Sequence, residues 1–300
     1  MSNTTRRKRT HKKYNKTKYK KFKDVKCSPN KSRKNTCYSD KNIFILKKYW
    51  NKHNKNKIKS NNPIEIWKNL KNKFKHDCNK ESCWLKNSPL PKKDKIKILN
   101  ESFAPLAPKE WKQHPNTWLS SLDLLRVLKQ YENKYSNFTF IGPSPIDYDH
   151  KTSYQQCVWN DLCNFSLNNL LSRNKNFIGV IFNTDPHNLG GSHWISMIID
   201  CNLKHILFFD SVGRKMPKQV NKFIQNVVNQ GKELNIEFKV DELHNHNIEH
   251  QQEDTECGMY SLYFIINMLT KNKNWNYFTS TIIHDKDVEK FRNIYFNKNL

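Results

Sequence analysis

Three hundred residues with 36% apolar content can hold one large domain or two unequal ones. The net charge of +26 is unevenly spread: residues 1–110 carry 33 Lys/Arg against 8 Asp/Glu, and residues 111–300 carry 20 against 19. The longest strongly apolar stretch, residues 259–269, is well short of the ~20 residues needed to span a bilayer as a helix, and no apolar segment follows the basic N-terminal run to make a secretory signal.

In chain order, residues 1–40 are rich in Lys, Asn, Ser and Tyr with no sustained apolar period, so a basic disordered tail is expected. Residues 41–104 carry apolar clusters at helix-like spacing and are expected to form a basic, partly helical arm. Pro105 and Pro108 mark a linker, and residues 105–300 are expected to form the main domain. There Ser120 and Asp123 can form a capping box, with Leu122, Leu125, Leu128 and Tyr131 as the apolar stripe of the helix that follows. Residues 138–141, 177–183, 194–200 and 205–210 are short runs rich in Ile, Val and Phe, as expected for strands buried on both faces. A tight turn at residues 202–204 makes the last two a hairpin. Pro217, the stripe Val220, Phe223, Ile224, Val227 and Val228, and Gly231 delimit a second helix. Ile236, Phe238 and Val240 alternate as a half-exposed strand. Residues 258–270, apolar on nearly all sides, form a buried helix. This order predicts an α+β domain.

A thiol nucleophile needs a base, a group that orients the base, and donors for the oxyanion. In the expected reducing compartment free thiols are available, and one of the eight cysteines can be the nucleophile. Cys257 is the best placed of them, because the positive end of a helix favours a thiolate and Gly258 leaves its backbone uncrowded. His193, in Gly190-Gly191-Ser192-His193-Trp194, opens one central strand, and Asp210 ends the next. In a hairpin those two positions share one edge of the sheet, so the carboxylate can hold the imidazole. Cys157 and Cys163 are expected as buried fillers beside Trp159, and the lone pair Cys78 and Cys83 makes no zinc ribbon. His244, His246 and His250 fit no structural zinc pattern, so no metal is expected.

The ordered set G-G-S-H-W, F-F-D-S and Q-x5-C-G resembles the clan of cysteine proteases that includes the SUMO proteases and the adenovirus protease, adenain. Within it, the chain is similar to the polyprotein-processing protease of African swine fever virus and its relatives in large DNA viruses, which also place extra sequence before the core. The third triad residue departs from that protease, which has Asn there, and agrees with the SUMO proteases.

The resemblance implies a papain-like/adenain-like core, with a central mixed sheet and a buried central helix carrying the nucleophile, behind a basic N-terminal extension. It implies Cys257 as nucleophile, His193 as base and acid, Asp210 as its orienting group, and Gln251, or Gln252 beside it, as the oxyanion donor. Trp194, Gly258 and Trp118 would line the substrate channel, and Gly-Gly-containing sites would be cut. The activity implied is viral structural polyprotein processing at assembly sites in the cytoplasm and in virions. The alternatives are a deSUMOylase or deubiquitinase acting on host conjugates, and a DNA-binding virion protein with an inactive protease-like domain. No cofactor is expected, unless DNA enhances activity. DNA or acidic core proteins would be held by residues 1–60, with Tyr14, Tyr19, Phe22 and Tyr38 stacking on bases. The run from Arg6 to Arg9 could serve nuclear import.

Overall fold

The computed structural model describes residues 26–31, 34–241 and 244–300. Most of the expected basic tail, with Tyr14, Tyr19, Phe22 and the import-like run, lies outside the described residues.

The arm sequence forms four helices: α1 (Asp40–His53), α2 (Pro63–Phe74), α3 (Ser82–Asn87) and α4 (Lys92–Ser102). Local sequence starts the first two. Ser39 caps α1 by accepting from the Asn42 amide, and Asn62 accepts from the Ile64 amide, with Pro63 in the first turn of α2. These helices enclose a core of their own, built on Ile43, Leu46, Leu70, Trp84 and Phe103. Tyr38 sits inside it, fully buried between the rings of Trp84 and Phe103, with its hydroxyl donating to the Glu81 carbonyl at 2.7 Å. It cannot stack on a nucleic-acid base, contrary to the expectation above.

The following domain is built on one mixed sheet. α5 (Ser121–Lys134) precedes strand β1 (Phe138–Pro145). The short helices α6 (Asn160–Cys163) and α7 (Leu167–Ser172) lead to β2 (Phe177–Asn183), β3 (Trp194–Asp200) and β4 (His205–Phe209). Then come α8 (Lys218–Glu233), β5 (Lys239–Val240), α9 (Cys257–Thr270), α10 (Trp275–Ser280), α11 (Asp285–Glu289) and α12 (Arg292–Tyr295). The strands lie in the order β1-β2-β3-β4-β5. The outer pairs β1/β2 and β4/β5 are parallel, and the inner pairs β2/β3 and β3/β4 are antiparallel.

Both faces of the sheet are covered, which is why its strands read as continuous apolar runs. Ile181 and Ile198 face α5 and α9 on one side, while Ile178, Val180 and Met197 face α7 and α8 on the other. The expected α+β core, with a mixed sheet and a buried helix beginning at Cys257, is therefore present.

Three details differ from expectation. The capping box forms as anticipated, with Ser120 and Asp123 bonded reciprocally, but the buried face of α5 is Leu124, Val127 and Leu128, and Leu122 points to solvent. The alternating segment before Val240 pairs only over Lys239 and Val240, while the Phe238 ring packs against Gly231 at the end of α8 and the Ile236 amide donates to the Gly231 carbonyl at 2.8 Å. Six of the eight cysteines are paired, as Cys27–Cys37, Cys78–Cys83 and Cys157–Cys163, so Cys157 and Cys163 are not independent fillers. Cys201 and Cys257 remain as free thiols. No helix among the described residues is long and apolar enough to cross a membrane.

Candidate active site

The hairpin β3–β4 brings the start of one strand beside the end of the other. Ser196 pairs with Phe209, so His193, just before β3, and Asp210, just after β4, share the same edge. There the His193 Nε2 and the Asp210 Oδ1 lie 2.6 Å apart, both residues buried. The other polar partner of the ring is Cys257, at the first turn of α9 and 1% exposed. Burial by itself would lower the pKa of this imidazole. The hydrogen bonds and charges of Asp210 and Cys257 outweigh that and push it up to about 9.

The backbone that carries the carboxylate is itself held. The Asp210 amide donates to the Asn245 Oδ1 at 3.1 Å, and the Asn245 side-chain amide donates back to the Asp210 carbonyl. Asn245 is fully buried, so the clamp has no water to compete with it.

The loop before α9 is tied down from four sides. The Ser211 carbonyl accepts from the amides of His250 and Gln251, both at 2.9 Å. Asp285 accepts from the amides of Gln252 and Glu253 at 2.9 and 3.0 Å. The Tyr260 hydroxyl bonds the carbonyls of His250 and Ile283. Finally, Arg292 grips Glu256, the residue before the thiol, through Nε at 3.0 Å and Nη2 at 2.6 Å, with Glu256 fully buried. Burial pushes the Glu256 carboxyl up, against the lowering effect of Arg292. The same guanidinium donates to the Thr117 carbonyl at 3.0 Å and lies 4.4 Å over the Trp111 ring.

Gln251 is buried in this loop, with its Oε1 accepting from the Ser211 hydroxyl at 2.7 Å and its amide nitrogen donating to the Glu253 carbonyl. Gln252 is exposed. Trp194 is nearly buried, and its indole N–H donates to the Leu119 carbonyl at 3.0 Å. A Cβ added at Gly258 would meet Leu119 Cβ at 3.1 Å and Trp194 Cδ1 at 3.3 Å, so these three residues close on one another beside the thiol. Trp118 is exposed on the adjoining segment.

Of the residues singled out in the sequence, His193 meets both Asp210 and Cys257, Gln251 lies in the loop leading to the thiol, and Trp194 and Gly258 adjoin it. Ser211, Asn245, Glu256 and Arg292 were missed. Ser211 is adjacent to Asp210, so the neighbourhood was visible, but Arg292 lies 36 positions from Glu256 and nothing in the sequence pairs them. The histidines of residues 244–250 are not clustered on a common point: both His250 ring nitrogens engage backbone groups, those of Phe278 and Ile283. A second His–Asp pair joins exposed His187 to half-buried Asp147 at 2.6 Å.

A family model described as the Ulp1 protease family, C-terminal catalytic domain, matches residues 107–299. A protein of Acanthamoeba polyphaga mimivirus named as a thiol protease is 32% identical over 182 residues, which cover 60% of this chain and 56% of that protein. A SUMO-1 cysteine protease of African swine fever virus is 28% identical over 182 residues, covering 58% of this chain and 66% of the relative. The chain thus spans between half and two thirds of the length of these relatives. A crystal structure of an African swine fever virus protease superposes with a TM-score of 0.64 at 23% identity, over 91% of this chain and 95% of that one.

Proposed function

The chain belongs to the Ulp1 protease family, and from that premise we propose that it is a cysteine-type peptidase with the triad His193, Asp210 and Cys257. The observation that carries this reading is the single imidazole held between a buried carboxylate and the thiol at a helix N-terminus. With its pKa pushed up to about 9, that ring keeps its proton at neutral pH and can give it to a leaving amine.

The thiolate of Cys257 attacks the scissile carbonyl carbon, and the carbonyl π electrons move onto oxygen. The Cys257 backbone N–H and the Gln251 amide stabilise that oxyanion. As the tetrahedral species collapses, the C–N bond breaks and the imidazolium transfers its proton to the leaving amine. Water, deprotonated by the now neutral His193, then cleaves the thioester and returns the thiol and a free carboxylate product. Asp210 keeps one tautomer and one ring orientation throughout.

Substrates are Gly-Gly-containing segments of viral structural polyproteins. The close approach of Gly258, Leu119 and Trp194 supports this preference, since a narrow channel accepts residues without a Cβ. Trp118, exposed beside Leu119, extends the channel. The SUMO-1 protease name of one relative favours a second reading, removal of SUMO-like modifiers from conjugates. DNA, held by the basic N-terminal sequence, is proposed as an activity-enhancing partner on charge grounds.

The test is labelling with an electrophilic thiol probe, followed by turnover of Gly-Gly-X peptides from virion precursors and of SUMO conjugates. Labelling at near-neutral pH should require Cys257 and fall strongly in His193→Ala. Labelling spread over Cys201 as well, or unaffected by His193→Ala, would remove the assignment. Faster turnover of SUMO conjugates than of any precursor peptide would favour the second reading.

A further inference from the structure

The dipeptide Asp210-Ser211 serves both halves of the site. Its first side chain orients the base, and its second reaches the side chain assigned to the oxyanion. Gln251 carries an amide whose two ends differ only in whether they accept or donate, so its orientation must be imposed from outside. The Glu253 carbonyl can only accept, which fixes the nitrogen end on that side. The Ser211 hydroxyl then donates to the oxygen end at 2.7 Å, with both residues almost completely buried. One N–H of the Gln251 amide is used on Glu253. The other is left for an oxyanion as long as the oxygen end stays anchored.

We propose that Ser211 is a positioning residue for the oxyanion hole, holding the Gln251 amide in the orientation that presents its free N–H to the reacting carbonyl oxygen. This rests on the peptidase reading above. The Ser211 hydroxyl donates to the Gln251 Oε1, so it acts through Gln251. Its main-chain carbonyl accepts from His250 and Gln251 whatever its side chain is, so the loop path survives truncation of the hydroxyl. What Ser211→Ala removes is the anchor of one buried amide oxygen.

The oxyanion exists only in the transition state, so the loss should appear in kcat with KM unchanged. With a Gly-Gly-aminocoumarin peptide, Gln251→Ala should lose ~10²–10³ in kcat. Ser211→Ala should lose about tenfold, the range of one lost buried hydrogen bond, and Ser211→Cys, with a weaker donor, should fall between it and the wild type. In the Gln251→Ala background, Ser211→Ala should cause no further loss. Alkylation of Cys257 by iodoacetamide, which forms no oxyanion, should proceed at the wild-type rate in Ser211→Ala.

An additive loss in the double variant, or an alkylation rate that falls in step with kcat, would show that Ser211 acts on the thiol–imidazole pair or on the fold, and would overturn the proposal. Full activity of Ser211→Ala alongside a crippled Gln251→Ala would overturn it while leaving the peptidase reading intact. An inactive wild type would sink that reading first.

Discussion

A histidine taken out of water tends to lose its proton, because burial disfavours the cation. In His193 the balance goes the other way: Asp210 and Cys257 raise its pKa to about 9, against an ordinary imidazole value near 6.5. A raised folded-state pKa stabilises the fold fully below the unfolded value and loses that contribution as pH rises through the folded one. The stabilising and reactive form is therefore expected to persist across neutral pH and disappear in the alkaline range. We predict that the alkaline limb of kcat/KM lies near pH 9 and that Asp210→Asn moves it towards the ordinary imidazole range, as measured on a Gly-Gly-aminocoumarin substrate. A limb that does not shift would remove Asp210 as the cause. Arg292 poses a different residue-scale question, since it is 6% exposed and its Glu256 partner is fully buried. Removing one member of such a pair leaves an uncompensated charge, so Arg292→Ala is expected to destabilise by about 3–5 kcal/mol in denaturant unfolding. The double variant Glu256→Leu/Arg292→Met should recover much of that loss.

At the scale of elements, α5 shows what periodicity settles and what it leaves open. Leu122, Leu125 and Leu128 have helical spacing, and the helix forms, yet so do Leu124, Val127 and Leu128, which make the buried face. Both stripes satisfy a 3.6-residue period, and only the sheet beneath chooses between them. Leu124→Ala is expected to cost ~2–5 kcal/mol, and Leu122→Ala, at a solvent-facing position, less than about 0.5 kcal/mol. Comparable losses measured by chemical denaturation would put the helix in the other rotation. The central strands were legible because burial on both faces leaves a continuous apolar run between turn residues, as in Phe177–Asn183. Their pairing edge was legible too, since the tight turn expected at residues 202–204, which the structure closes over residues 201–204, fixes which ends meet, and His193 and Asp210 followed from it. The Asn245 clamp and the Glu256–Arg292 pair were not legible. Each joins polar side chains far apart in sequence, and no local period encodes a long-range hydrogen bond. Nor could spacing alone decide between free and paired thiols: the structure pairs Cys157 with Cys163 where isolated fillers were expected.

On the scale of the whole molecule, the helical N-terminal lobe has its own core but is latched to the sheet domain by two side-chain amides. Asn297 accepts from the Lys26 amide at 2.7 Å and donates to the carbonyls of Lys26 and Ala104 at 2.8 and 2.7 Å. Gln130 donates to the carbonyls of Asn100 and Phe103, both at 2.8 Å. None of these groups touches His193, Asp210, Gln251 or Cys257, all of which are held by residues beyond 110. A fragment of residues 105–300 would lose the latch but keep every contact of the triad and the loop before α9. Water would replace the missing partners of Asn297 and Gln130, so the loss is smaller than for amides left unpaired inside a core. The fragment is expected to melt several degrees lower, at ~2–4 °C per kcal/mol for a domain of this size, while its kcat stays within about threefold of the full chain. It would also shed most of the positive charge, since residues 1–104 hold 32 of the 53 Lys/Arg. If DNA acts through that charge, duplex DNA should change turnover of the full chain in a salt-dependent way and leave the fragment untouched. A fragment still responsive to DNA would place the nucleic-acid contact on the sheet domain, and a fragment that fails to label with the thiol probe would show that the two lobes form one catalytic unit.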